Sequence, residues 1–113
     1  MSVSYFVRYE GAAENADEFL RYYRERHAAV LARFPGIRKI ILHTPIEWKD
    51  RFPVRPDRFM LVAQMMFDSA EDLNRALQSD ARADARADFA NFPRFQADVY
   101  HQAAVSEEIW ARP

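Results

Sequence analysis

Four runs of β-branched and aromatic residues alternate with two helical patterns in this sequence, which predicts one α+β domain over residues 1–113 in the order βαββαβ. Three observations carry that prediction. The segments Ser2–Tyr9, Ile37–His43, Arg58–Phe67 and Phe95–Val105 are rich in strand-forming residues. Apolar residues recur at spacings of three and four between Phe19 and Phe34. Ser69, followed by Glu71 and Asp72, opens a second helical stretch that leads into an Ala-rich run.

The first strand takes Val3, Tyr5, Phe6, Val7 and Tyr9. Asn15 or Asp17 caps the helix that follows. In it Phe19, Leu20, Tyr23, Val30, Leu31 and Phe34 share one arc, with Arg21, Arg24, Glu25 and Arg33 off it. Pro35-Gly36 stops this helix, and Ile37–His43 forms the second strand. Thr44 to Asp57 holds Pro45, Pro53 and Pro56 and reads as a long loop, a length that is often functional. After the third strand the helix from Ser69 runs through Leu73, Ala76 and Leu77. The run from Ala81 to Asp88 either continues it or forms a separate helix up to Phe92, ended by Pro93. With both helices on one face of an antiparallel sheet, this order is the ferredoxin-like βαββαβ sandwich.

Composition narrows the functions. Sixteen Lys and Arg against 17 Asp and Glu give a formal charge of −1, too little basic excess for nucleic acid as the main partner. No apolar run reaches the ~20 residues of a membrane helix, and no membrane partner is expected. The N-terminal residues carry no signal-peptide pattern, so a cytoplasmic location is expected. With no Cys there are no disulfides, thiolate metal sites or Cys nucleophiles. Two Gly leave no phosphate loop or dinucleotide fingerprint.

The third strand does not alternate. Phe59, Leu61, Ala63, Met65 and Phe67 point one way, and Met60, Val62 and Met66 point the other, with only Gln64 polar. The second strand likewise has Ile37 and Ile41 opposed to Ile40 and Leu42. Helices cover one face; a second copy packed sheet to sheet would cover the other, so a homodimer is expected, the alternative being a monomer with its long loop folded over the sheet.

His27 falls on the apolar arc of the first helix and should face the sheet, where it is either a general acid/base or a core histidine held by one hydrogen bond. His43 and His101 read as strand-end or surface residues, and no His spacing suggests a metal; no cofactor is expected. Asp88 could orient a histidine or a substrate hydroxyl, or be a solvated charge; Phe92 shares its helical face. Tyr5, Tyr9 and Tyr23 could line a cavity between helix and sheet, Tyr100 adds a further aromatic, and Arg8 could recognise a carboxylate. Trp48 and Phe52 read equally as a lid and as contacts to a second subunit. Ser69 and Ser79 are explained as helix caps.

The run from Phe19 through Tyr22, Tyr23 and Glu25 to His27, then Phe34-Pro35-Gly36-Ile37, resembles the EthD family of dimeric α+β barrels. The stretch from Phe67 to Leu77, Ser79, and Ala87-Asp88-Phe89-Ala90-Asn91-Phe92 resembles the same family. The wider group includes muconolactone-type isomerases, polyketide cyclases, small decarboxylases or dehydratases, and quinone-forming or haem-degrading monooxygenases. The resemblance implies a small ring compound held between sheet and helices, with His27 as acid/base and Asp88 matching the family's Asp; from the residues themselves, Tyr5, Tyr23, Arg8, Tyr100 and Phe92 are expected around the ligand. A Tyr of the methylmuconolactone isomerases is replaced here by Ile40, so that activity is not carried over. The expected function is cofactor-independent proton transfer on a small aromatic or lactone-like metabolite. The alternatives are a non-catalytic ligand-binding accessory protein and a haem- or quinone-type monooxygenase relative.

Overall fold

The computed structural model describes residues 1–113. Its strands are β1 (Ser2–Ala13), β2 (Lys39–His43), β3 (Leu61–Phe67) and β4 (Phe95–Ser106). They form one antiparallel sheet in the order β2-β3-β1-β4, the ferredoxin-like arrangement. Helices α1 (Ala16–Tyr22), α2 (Ala28–Leu31), α3 (Ala70–Leu77) and α4 (Asp80–Ala87) complete the βαββαβ order. No helix is long and apolar enough to cross a membrane.

Side-chain chemistry explains the helix starts. Asn15, Ser69 and Ser79 each accept a hydrogen bond from a backbone N–H in the first turn, at Glu18, Asp72 and Arg82. Asp17, not an acceptor here, lies inside the helix. The Ala-rich run is a separate helix because Ser79 interrupts and re-caps it. Between α1 and α2 the chain makes a π-turn over Tyr23–His27, where the Ala28 N–H bonds the Tyr23 carbonyl five residues back. Such turns concentrate at functional sites. The helix ends at Leu31, short of the expected Phe34, and Gly36 at φ 76° makes the turn into β2.

The strand boundaries differ from expectation for a pairing reason. β1 continues four residues past Tyr9 because β4 is long enough to pair with it, from Ser2↔Ser106 to Ala13↔Phe95. Strand propensity alone would stop before Gly11-Ala12-Ala13. Gly11 is needed there: a Cβ would collide with the Gln96 carbonyl oxygen and lie 2.5 Å from Ala97 Cα. Gly11→Ala should therefore lower stability by about 2 kcal/mol, measured as an earlier denaturation midpoint at unchanged m. β3 begins at Leu61, and Phe59 leaves the strand to lie 5.5 Å beneath the Arg8 guanidinium.

The helix-facing side of the sheet is the core. Tyr5, Val7 and Tyr9 of β1 and Leu61, Ala63, Met65 and Phe67 of β3 are buried against Phe19, Tyr23, Leu31 and Leu73. The open face is more mixed than uniform apolarity. Phe6, Ile41, Val62 and Met66 are half-buried on it. A hydrogen-bonded row crosses all four strands among them. His43 Nε2 meets Gln64 Oε1 at 3.0 Å, Gln64 Nε2 donates to Ser4 Oγ at 3.1 Å, and Ser4 Oγ meets Ser106 Oγ at 2.6 Å. The polar groups satisfy one another, which leaves the apolar ones free for a partner surface.

Candidate active site

His27 closes the π-turn and points inward, with 3% of its surface exposed. Its imidazole packs edge-on against Phe92 (centroids 4.7 Å apart) and tilted against Tyr23 (4.9 Å). Nδ1 lies 2.9 Å from Asp88 Oδ2. Asp88 opens a short 3₁₀ turn, Asp88–Asn91, that brings its carboxylate to the helix. The Tyr22 hydroxyl donates to Oδ1 at 2.7 Å, and Asn91 Nδ2 donates to the same oxygen at 3.1 Å.

These contacts set the protonation states. Burial opposes the Asp88 charge, but the donors from His27, Tyr22 and Asn91 outweigh it, and the carboxyl stays below its ordinary range. An ionised carboxylate only accepts, so the shared proton sits on Nδ1 and Nε2 carries the lone pair. Burial holds the His27 pKa below its ordinary 6.5, with Asp88 pulling the other way. At neutral pH His27 is therefore an uncharged base, oriented by a carboxylate, whose Nε2 bonds no protein group.

A small cavity of about 20 Å³ adjoins the imidazole, between the helices and the sheet. His27, Tyr9, Tyr23, Met65, Phe89 and His101 are among its walls, with Arg82 and Arg86 of α4. That volume holds about one water molecule. A ring-sized ligand therefore enters only when side chains at the wall move apart.

The expected site residues divide between the two faces of the sheet. His27, Asp88, Tyr23 and Phe92 come together, although Phe92 supports the imidazole from behind and is not a wall of the cavity. Tyr5 lies on the same helix-covered face but is not a wall of the cavity; its hydroxyl is 2.7 Å from Nδ1 of His101, which is. Arg8 and Tyr100 are register partners on the open face, away from His27. Arg8 is already ion-paired with Glu10 (2.9 Å) and Asp57 (2.6 Å), so it has no free charge for a carboxylate. Trp48 and Phe52 are exposed in the 44–60 segment and do not reach His27. His101 is more than a surface residue: it is a wall of the cavity, and burial, then Arg82 and Arg86, push its pKa down. Tyr22 and Asn91, which hold Asp88, were not expected; Asn91 is three residues from Asp88, but nothing local links Tyr22 to it. No three His, Asp or Glu side chains converge as metal ligands would.

The model of the EthD domain matches residues 13–96, which span both His27 and Asp88. The chain belongs to the EthD family. No curated protein is similar to it in sequence. An EthD family protein of Bacillus halodurans has the same fold, with a TM-score of 0.66, 22% identity, and 96% of this chain and 100% of that one covered. SnoaB, a cofactor-independent oxygenase from Streptomyces nogalater, superposes with a TM-score of 0.62 at 16% identity, over 98% of both chains. A dimeric ferredoxin-like protein of Thermobifida fusca does so at 0.64 and 8% identity, over 94% of this EthD chain and 92% of its own. At these identities the likeness is one of fold.

Proposed function

We propose that this EthD protein is a small-molecule enzyme that moves a proton on a small aromatic or lactone-like metabolite, with His27 as the general base. The observation that carries the reading is a buried, neutral imidazole, held by Asp88 through Nδ1, with Nε2 unpartnered beside a cavity. In the step, a C–H bond next to a carbonyl breaks and its proton passes to Nε2. The electron pair stays on the substrate, delocalised onto the carbonyl oxygen. Asp88 stabilises the imidazolium, and Tyr22 and Asn91 keep Asp88 in place. Returning the proton to another carbon isomerises the substrate; expelling a neighbouring group makes the enzyme a lyase. SnoaB, described as a cofactor-independent oxygenase, supports small-molecule chemistry on this fold without extending its reaction to this chain.

Incubation with a panel of cyclic ketones, lactones and hydroxyaromatics in D₂O tests the reading, with deuterium uptake at carbon followed by mass spectrometry. Exchange at one or more of these compounds is expected. Its rate should fall as pH drops through a midpoint below 6.5, because protonating His27 removes the base. Ligand binding with no exchange across the panel would overturn the reading and make the protein an accessory binder.

We also propose that two copies pack through their open sheet faces. Phe6, Ile41, Val62 and Met66 supply the apolar surface, and the Thermobifida fusca neighbour, described as dimeric, is consistent with two copies associating. Arg8, Tyr100 and Phe6 line a groove of about 470 Å³ on that face, which such packing would cover.

A further inference from the structure

The cavity wall contributed by α4 is basic and has no built-in counter-charge. Arg82 and Arg86 stand four residues apart, one helical turn, and both reach the cavity. Neither is ion-paired, and unlike the other unpaired arginines both line the cavity beside His27. Asp84, the acidic residue between them, is occupied by Arg33 at 2.6 Å. Their neighbours are instead ring faces: Arg82 lies 5.6 Å from the Tyr5 centroid and Arg86 5.7 Å from that of Phe89. Arg82 Nη2 also donates to the Tyr5 hydroxyl at 3.4 Å, and the Tyr5 hydroxyl meets His101 Nδ1. No carboxylate lines the cavity.

A second observation is independent of charge. Tyr9 is fully buried and lines the same cavity; its hydroxyl has no partner at full hydrogen-bond distance, the Tyr23 hydroxyl being near enough only to act on its charge. A buried hydroxyl without a partner is costly and calls for an explanation. An acceptor atom of a ligand in the cavity would supply the missing partner.

We propose that the cavity takes a small ring compound bearing negative charge on oxygen, whose oxyanion is held by Arg82 and Arg86 and accepts a hydrogen bond from Tyr9. The assignment rests on the proton-transfer reading above and gives it a substrate class, namely acids that enter as carboxylates or become enolates. The guanidiniums that hold the anion also stabilise the charge left when His27 takes the proton. They do so from the α4 wall, while Asp88 serves the imidazole from behind.

The test is titration of the whole protein with benzoate and with benzamide, which share a ring and nearly a shape but differ in charge, followed by isothermal calorimetry. Wild-type protein should bind benzoate at least about tenfold more tightly than benzamide. Arg86→Gln should reduce the preference severalfold, Arg86→Lys should restore part of it, and Arg82→Gln should act in the same direction. Arg86 is exposed, so its substitution leaves the core untouched. Equal affinities for the two compounds, no binding of either, or an undiminished preference in both Gln variants would overturn the proposal. These measurements read binding alone, so they fail separately from the proton-transfer reading, which fails on deuterium exchange.

Discussion

Replacing His27 with alanine should reduce turnover by about 10²- to 10⁴-fold, the usual contribution of a positioned general base. The fold should survive. His27 is buried, so the substitution leaves a cavity and removes one donor from Asp88, but Tyr22 and Asn91 still donate to that carboxylate. The expected cost is about 1–3 kcal/mol, less than the typical total stability of a domain. His27→Gln fills more of the space and can still donate an N–H, yet it has no basic nitrogen. Loss of turnover in both variants, with a circular dichroism spectrum like that of the parent, is the expected result. Turnover retained in His27→Gln would show that His27 is not the base.

The second large effect concerns assembly. Phe6→Asp places a carboxylate on the open face, where Phe6 pairs with Gln64 and Gln102. In a two-fold dimer each copy contributes the charge, so the substitution acts twice. An unpaired buried charge costs about 3–5 kcal/mol, which weakens a dimer by more than about a hundredfold. Light scattering on the parent should give twice 13.3 kDa, and on Phe6→Asp a single chain. A parent protein that stays monomeric at high micromolar concentration would remove the sheet-to-sheet dimer.

The sequence carries the architecture because period-two and three-to-four spacings are local signals. Ser69 and Ser79 cap as their positions suggest. Boundaries set by pairing are not local: β1 reaches Ala13 only because β4 accompanies it. The π-turn is also invisible locally, since it depends on how Tyr23 and His27 pack. The inward direction of His27 is legible from its arc, whereas its link to Asp88, 61 residues away, becomes a geometry only on folding. Strand alternation does separate Arg8 from Tyr5, Val7 and Tyr9, and Tyr100 from Val99, and so places them on the far face. The Arg82–Arg86 spacing is visible too, but its absence of counter-charge is not.

Acid should destabilise the protein through the same pair. The folded state resists protonating His27 below the unfolded value of 6.5, so stability falls as pH drops beneath it. Asp88 adds to the loss at lower pH, because its folded pKa is also depressed, from 3.8. The most direct test is a ¹⁵N-resolved NMR titration of the His27 ring in the parent protein. The expected result is a pKa below 6.5 and, in the neutral form, a proton on Nδ1. A pKa at or above 6.5, or a neutral ring protonated at Nε2, would contradict it.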